Sequence, residues 1–185
     1  MLGKNDVVYG STVFPAGTVI KNQGVYFDKS KFNTEQPNVK ECATAKLPNG
    51  VEVTVFKNST LGQRGRVSIK GNQTIFDHVD YTHITGTNGD DNFVFNAAYG
   101  DETESTLGER VINTGKGNDS ISGNIGLWPY CGKGSYERGT IVVSDGNLKV
   151  SGTAYNTIFL VNGKLDTRGV QSYSLNYVSG VNPKK

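Results

Sequence analysis

The chain has 185 residues, 35% of them hydrophobic, with 24 glycines and a net charge of +2. That length can bury a substantial core in one domain or one capped solenoid, and no apolar run is long enough to cross a membrane. Glycine, Asn, Ser and Thr are frequent, which favours short strands and tight turns over helices, and the near-neutral charge points to no nucleic-acid partner.

No signal peptide is read at Met1, which leaves export through a C-terminal signal, or excision from a longer chain, open. From Val7 to Phe27, apolar triplets alternate with turn residues and predict short strands of a buried β layer. From Asp28 to Lys46 the chain is polar and lysine-rich and reads as a long surface loop, with or without a short helix. The densest helical candidate, Thr34 to Leu47, is interrupted by Pro37. Pro48-Asn49-Gly50 then turns into Val51–Val55, whose alternation puts three valines on one face. Cys42 and Cys131 permit one disulfide, or two separate buried thiols. No C-x-x-C spacing suggests zinc or redox chemistry.

The centre has a different rhythm. Ile75, Ile84 and Phe93 lie nine apart, as do Ile112 and Ile121, and Gly108, Gly117 and Gly126. Gly71–Ile75 aligns with Gly89–Phe93 at an offset of 18. Two nine-residue units make one coil with a short strand on each side, and the apolar residue of each strand points inward. Acids concentrate here: Asp77, Asp80, Asp90, Asp91, Asp101, Glu102, Glu104, Glu109 and Asp119 face only Arg110 and Lys116. Such a cluster opposes compaction unless a cation neutralises it. The alternative is a solvated acidic loop.

Two segments, Gly86-Thr87-Asn88-Gly89-Asp90-Asp91-Asn92-Phe93-Val94 and Thr114-Gly115-Lys116-Gly117-Asn118-Asp119-Ser120-Ile121-Ser122, approach the nonapeptide G-G-x-G-x-D-x-U-x, U being a large apolar residue. They resemble the hemolysin-type calcium-binding repeats of RTX proteins, which form parallel β-rolls. The resemblance implies that Asp91 and Asp119 are calcium ligands. It implies carbonyl ligands from Gly86, Asn88 and Asp90 in the first motif, and from Thr114, Lys116 and Asn118 in the second. Glycine and Asn or Asp suit such turns because they tolerate left-handed backbone and can aim successive carbonyls at one point. The pattern is degenerate. Gln73 stands at the preceding aspartate position, Thr114 replaces the first glycine, and Asp91 and Asp119 are 28 apart. An insertion at Ala98–Ser105, or a change of side, accounts for that gap, and one or two calcium ions are expected.

After Gly126 the rhythm fades. Thr140–Val143 and Leu148–Val150 flank Asp145-Gly146-Asn147, and Ile158–Val161 and Lys164-Leu165 flank Asn162-Gly163; both read as hairpins. Ser172–Val178 alternates cleanly. This end is expected to be an antiparallel or solenoid-continuing cap, since an open β-solenoid end exposes an edge. Asp77–His83 holds both histidines. His78 and Asp80 share one face of an extended segment and His83 the other, which fits exposed strand residues better than a transition-metal site. No nucleophile elbow or phosphate loop is present, and Asp101, Glu102, Glu104 and Glu109 have loop spacing, not that of opposed glycosidase carboxylates. Trp128 and Tyr130 could stack on a sugar.

The expected fold is all-β: a right-handed parallel β-roll or β-helix over residues 67–126, N-terminal strands and cap over 1–66, and a C-terminal β cap over 127–185, with antiparallel capping strands. A β-sandwich with a calcium loop is the alternative. The expected function is that of a calcium-stabilised, non-enzymatic module of a secreted bacterial protein, serving adhesion, targeting or secretion. It would act as a monomer or as part of a larger chain, with a polysaccharide or cell-surface ligand as possible partner. A β-helical polysaccharide lyase, hydrolase or epimerase, and a secreted toxin or effector, are the alternatives.

Overall fold

The computed structural model describes residues 4–9, 12–23, 42–56, 65–77, 79, 82–97, 110–126, 140–154, 157–171 and 175–179. The chain is all-β, and no helix occurs among the described residues. Its strands are β1 (Val7–Tyr9), β2 (Thr12–Phe14), β3 (Val19–Gln23), β4 (Cys42–Lys46), β5 (Glu52–Phe56), β6 (Arg66–Lys70), β7 (Gln73–Asp77) and β8 (Thr82–Thr85). They continue as β9 (Asn92–Ala97), β10 (Arg110–Gly115), β11 (Asn118–Gly126), β12 (Thr140–Ser144), β13 (Asn147–Ala154), β14 (Thr157–Val161), β15 (Leu165–Gln171) and β16 (Leu175–Ser179).

Two mixed eight-stranded sheets result. One runs β1-β2-β6-β7-β9-β11-β13-β15, the other β16-β14-β12-β10-β8-β5-β4-β3. From β7 onward, consecutive strands alternate between the sheets. Each pairs in parallel with the strand two places along: β7 with β9, β9 with β11, β11 with β13 and β13 with β15 in the first sheet. The second sheet repeats this from β8 to β16. This is a coiled chain of the β-roll kind. Antiparallel strands close its N-terminal end: β3, β4 and β5 form a meander, β5 pairs antiparallel with β8, and β6 and β7 form a hairpin.

Burial explains the coil. A strand exposes alternate side chains to opposite faces, so one face of each sheet can be apolar. In the second sheet Val53, Ile84, Ile112, Val142 and Phe159 stack in register, all fully buried. In the first, Phe93, Ile121 and Val150 do the same. Phe76 stacks on Phe95 with ring centroids 5.0 Å apart and meets Phe93 edge-on at 5.8 Å. Each such buried side chain contributes about 1.5–3 kcal/mol, and one contiguous core serves both sheets.

Several expectations change. Ile75 is not in the inward ladder: Thr74 pairs with Phe93 and Ile75 with Val94, so the true offset is 19 and Ile75 points outward, half-buried. The reading of Asp28–Lys46 as a surface loop fails at Cys42–Lys46, which is strand β4. Ala43 and Ala45 are its buried face, followed by buried Leu47, and small residues among polar ones concealed the alternation. The two C-terminal hairpins do not form. β12 and β13 lie in different sheets, as do β14 and β15, so Asp145-Gly146 and Asn162-Gly163 are arches between sheets. The parallel coil thus continues past Gly126 to β16, and no antiparallel strand caps that end among the described residues.

Candidate functional site

The arches of successive coils stack along one side of the molecule. The first, Gly86–Asp91, joins β8 to β9; the second, centred on Lys116-Gly117, joins β10 to β11. Ile84 to Phe93 and Ile112 to Ile121 each span nine residues, whereas Val142 to Val150 in the next coil spans eight. The extra residue is Thr114, where the ladder slips as Asn113 pairs with Val143 but Gly115 with Ser144. Only the first two arches therefore match in length. Ser120 pairs with Asn92 across them, which puts Asp119 directly beside Asp91. The 28-residue gap reflects the link between β9 and β10 on the other side of the coil, not a change of side. Beyond Asp119 the same position is held by Leu148 and Leu165, and before Asp91 by Asn72, not Gln73, since Gln73 pairs with Asn92.

The glycines let these arches touch. A Cβ on Gly117 would meet the carbonyl oxygen of Gly89, and one on Gly146 that of Gly117. Gly117 also has φ of 118°, a backbone that L side chains rarely adopt. Main-chain bonds then tie arch to arch: Gly86 N–H to Asn113 O at 2.7 Å, Asn147 N–H to Gly117 O at 2.8 Å and Gly163 N–H to Gly146 O at 3.0 Å.

Polar side chains complete the stack. Asp91 closes its own arch, its Oδ2 accepting from Thr87 N–H at 2.6 Å and Thr87 Oγ1 at 3.1 Å. Asp119 reaches back, its Oδ1 accepting from Asp91 N–H at 3.0 Å. Asp90 accepts from Asn118 N–H at 2.8 Å, Asn118 Oδ1 from Asn147 Nδ2 at 2.9 Å, and Asn147 Oδ1 from Lys164 N–H at 2.9 Å. This ladder is exposed, whereas Asp91 is 9% and Asp119 2% exposed.

Two buried carboxylates side by side are costly without a counter-charge. Burial pushes the Asp119 carboxyl above the usual carboxylate range. The nearby Thr114 hydroxyl and the Asp91 N–H act in the opposite sense, and the carboxylates of Asp91 and Asp90 push it further up. Asp119 Oδ2 and Thr114 Oγ1 are both buried with no well-formed hydrogen bond.

Of the residues that the motifs single out, the structure brings together Gly86, Asp91, Thr114 and Asp119 in the interior of the stack. A Cβ on Gly86 would meet Thr114 O and Asp91 Oδ2. Asn88, Asp90, Lys116 and Asn118 are exposed on its rim. No group of three or more His, Cys, Asp or Glu side chains among the described residues is arranged to hold a metal ion. A cation would draw on the two carboxylates, the Thr114 hydroxyl and main-chain carbonyls. The orphaned Asp119 oxygen and that all-oxygen donor set suit a hard cation such as Ca²⁺.

Arg110 was legible only as a counter-charge to the acids. It is buried at the far corner of the coil, where Nη1 donates to Ile125 O at 2.9 Å and Nη2 to Val79 O at 2.8 Å, and its guanidinium lies 4.6 Å from the Phe95 ring centre. A lone arginine at a strand start carries no signal for such a role. His83 lies on β8, half-buried rather than exposed. Cys131, His78, Asp80, Asp101, Glu102, Glu104, Glu109, Trp128 and Tyr130 lie outside the described residues.

Comparison with protein-family models, with curated proteins and with solved structures finds no match.

Proposed function

We propose that the chain is a calcium-stabilised, non-enzymatic β-roll module of a secreted bacterial protein, serving adhesion, targeting or secretion. The observation that supports this most is the buried Asp91–Asp119 pair in two stacked arches of equal length, with an orphaned oxygen on Asp119. Asp91, Asp119, Thr114 and adjoining carbonyls hold one Ca²⁺ in this reading. One ion rather than two is the reading favoured, since Leu148, which has no carboxylate, follows Asp119 in the stack. Bound calcium supplies the positive charge that two buried carboxylates require. Folding is then coupled to the calcium concentration, as suits a module that is loose before export and rigid after it.

Calcium titration followed by circular dichroism and calorimetry tests this, with magnesium as control. A hundredfold excess over the dissociation constant adds about 2.7 kcal/mol, or roughly 5–10 °C in Tm for a chain of this size. The variant Asp91→Ala with Asp119→Ala is expected to lose that response. Indifference of the wild-type chain to millimolar calcium overturns the proposal.

A further inference from the structure

The last strand of the first sheet breaks its ladder in mid-strand. Leu165 and Asp166 of β15 pair with Leu148 and Lys149 of β13, while Gly169, Val170 and Gln171 pair with Ser151, Gly152 and Thr153. Thr167 and Arg168 therefore both stand opposite Val150. This is a β-bulge. The other slips in the parallel ladders, at Asn113/Gly115, Asn124/Gly126 and Phe76/Asp77, fall near strand ends. Asp166 holds the bulge: its Oδ1 accepts from Arg168 N–H at 3.1 Å and Nε at 2.9 Å, and its Oδ2 from Nη2 at 2.6 Å. Gly169 follows, where a Cβ would crowd Ser151.

Among the described residues β15 has a neighbour on one side only, and its outer edge is unpaired there. Such an edge offers unpaired N–H and C=O groups to any further strand, and bulges and charges are the usual means of blunting it. We propose that the Asp166–Arg168 bulge is a stop that keeps a second copy of this chain from adding to the C-terminal end of the stack. A regular strand laid in step with Leu165 and Asp166 falls one residue out of step at Gly169. The Arg168 N–H is taken by Asp166 and is lost to an incoming strand. The charged fork also stands where the edge would have to be desolvated, with the Arg168 side chain 90% exposed. A new coil must extend both sheets, so blunting one edge stops it, even though β16 pairs regularly with β14 along all five residues.

Sedimentation velocity of the full chain over a range of concentrations tests the stop. Deleting Arg168 together with Asp166→Thr restores a regular strand, and self-association is expected to tighten about tenfold or more relative to wild type. A deletion variant with wild-type circular dichroism and melting that sediments as wild type overturns the proposal. So does a wild-type chain that already associates as tightly as the variant. Should the deletion not fold, the length-preserving pair Asp166→Val and Arg168→Val decides. Tighter association supports the stop, and wild-type sedimentation of that folded pair overturns it.

Discussion

Asp119 and His83 carry opposite pH signatures, and both follow from burial. The raised carboxyl of Asp119 means that the folded chain holds a proton more tightly than the unfolded one, so its contribution to stability falls as pH rises from the unfolded value to the folded one. In the absence of metal, Asp119→Asn is therefore expected to melt at or above the wild-type temperature at neutral pH, and to lose the calcium response. A metal-free melt showing Asp119→Asn several degrees less stable would contradict this. Burial lowers His83 to about 4, so the unfolded chain binds the proton better. That contribution is present above about pH 6.5 and is lost as pH falls towards 4, by at most about 3 kcal/mol. His83→Gln is expected to flatten chelator-treated stability over that window, as denaturant melts at pH 4.5 and 7 would show. Neither environment was legible from residue type. The acid and histidine could be placed on strands, but their burial depends on which coil lies beside them.

At the scale of an element, the arch glycines differ sharply in what they tolerate. Gly146→Ala and Gly117→Ala place a methyl against the main-chain oxygen of the neighbouring arch, where no side chain can yield. Each is expected to cost about 2–4 kcal/mol in urea unfolding. Gly71→Ala in the β6–β7 hairpin has φ of 59° but nothing within 4 Å of the new methyl, and is expected to cost only about 1 kcal/mol. The same arches show why local reading went astray. Asn162-Gly163 satisfies the chemistry of a two-residue hairpin, yet its flanking strands pair with strands 17 or 18 residues distant. Turn residues specify that the chain reverses, not whether the two strands bond edge to edge or face each other across a core. The periodicity of Ile84, Phe93, Ile112 and Ile121 did reveal the coil, because inward residues of a solenoid repeat in sequence as well as in space. It hid the C-terminal coils because their arches are one residue shorter.

Among the described residues, the strands from β9 to β14 have neighbours on both sides, and β15 and β16 have one each. Stability in such stacks is roughly a sum of nearest-neighbour terms, so the free end opens first. Amides of β15 and β16 are expected to exchange with deuterium well before those of β9 to β12, and uniform protection along the stack would refute this. The links between strands also differ by side. On the arch side they keep the flanking inward residues almost evenly spaced: nine apart for Ile84 and Phe93 and for Ile112 and Ile121, eight for Val142 and Val150. On the opposite side they hold twelve residues between β9 and β10, thirteen between β11 and β12, then two and three. Yet Ile84, Ile112, Val142 and Phe159 keep their alignment across every one of these lengths. The molecule counts residues on one flank only. The other flank is a natural grafting position: a foreign peptide placed between Ala97 and Arg110 would be displayed outside the stack while the core beneath it kept its register.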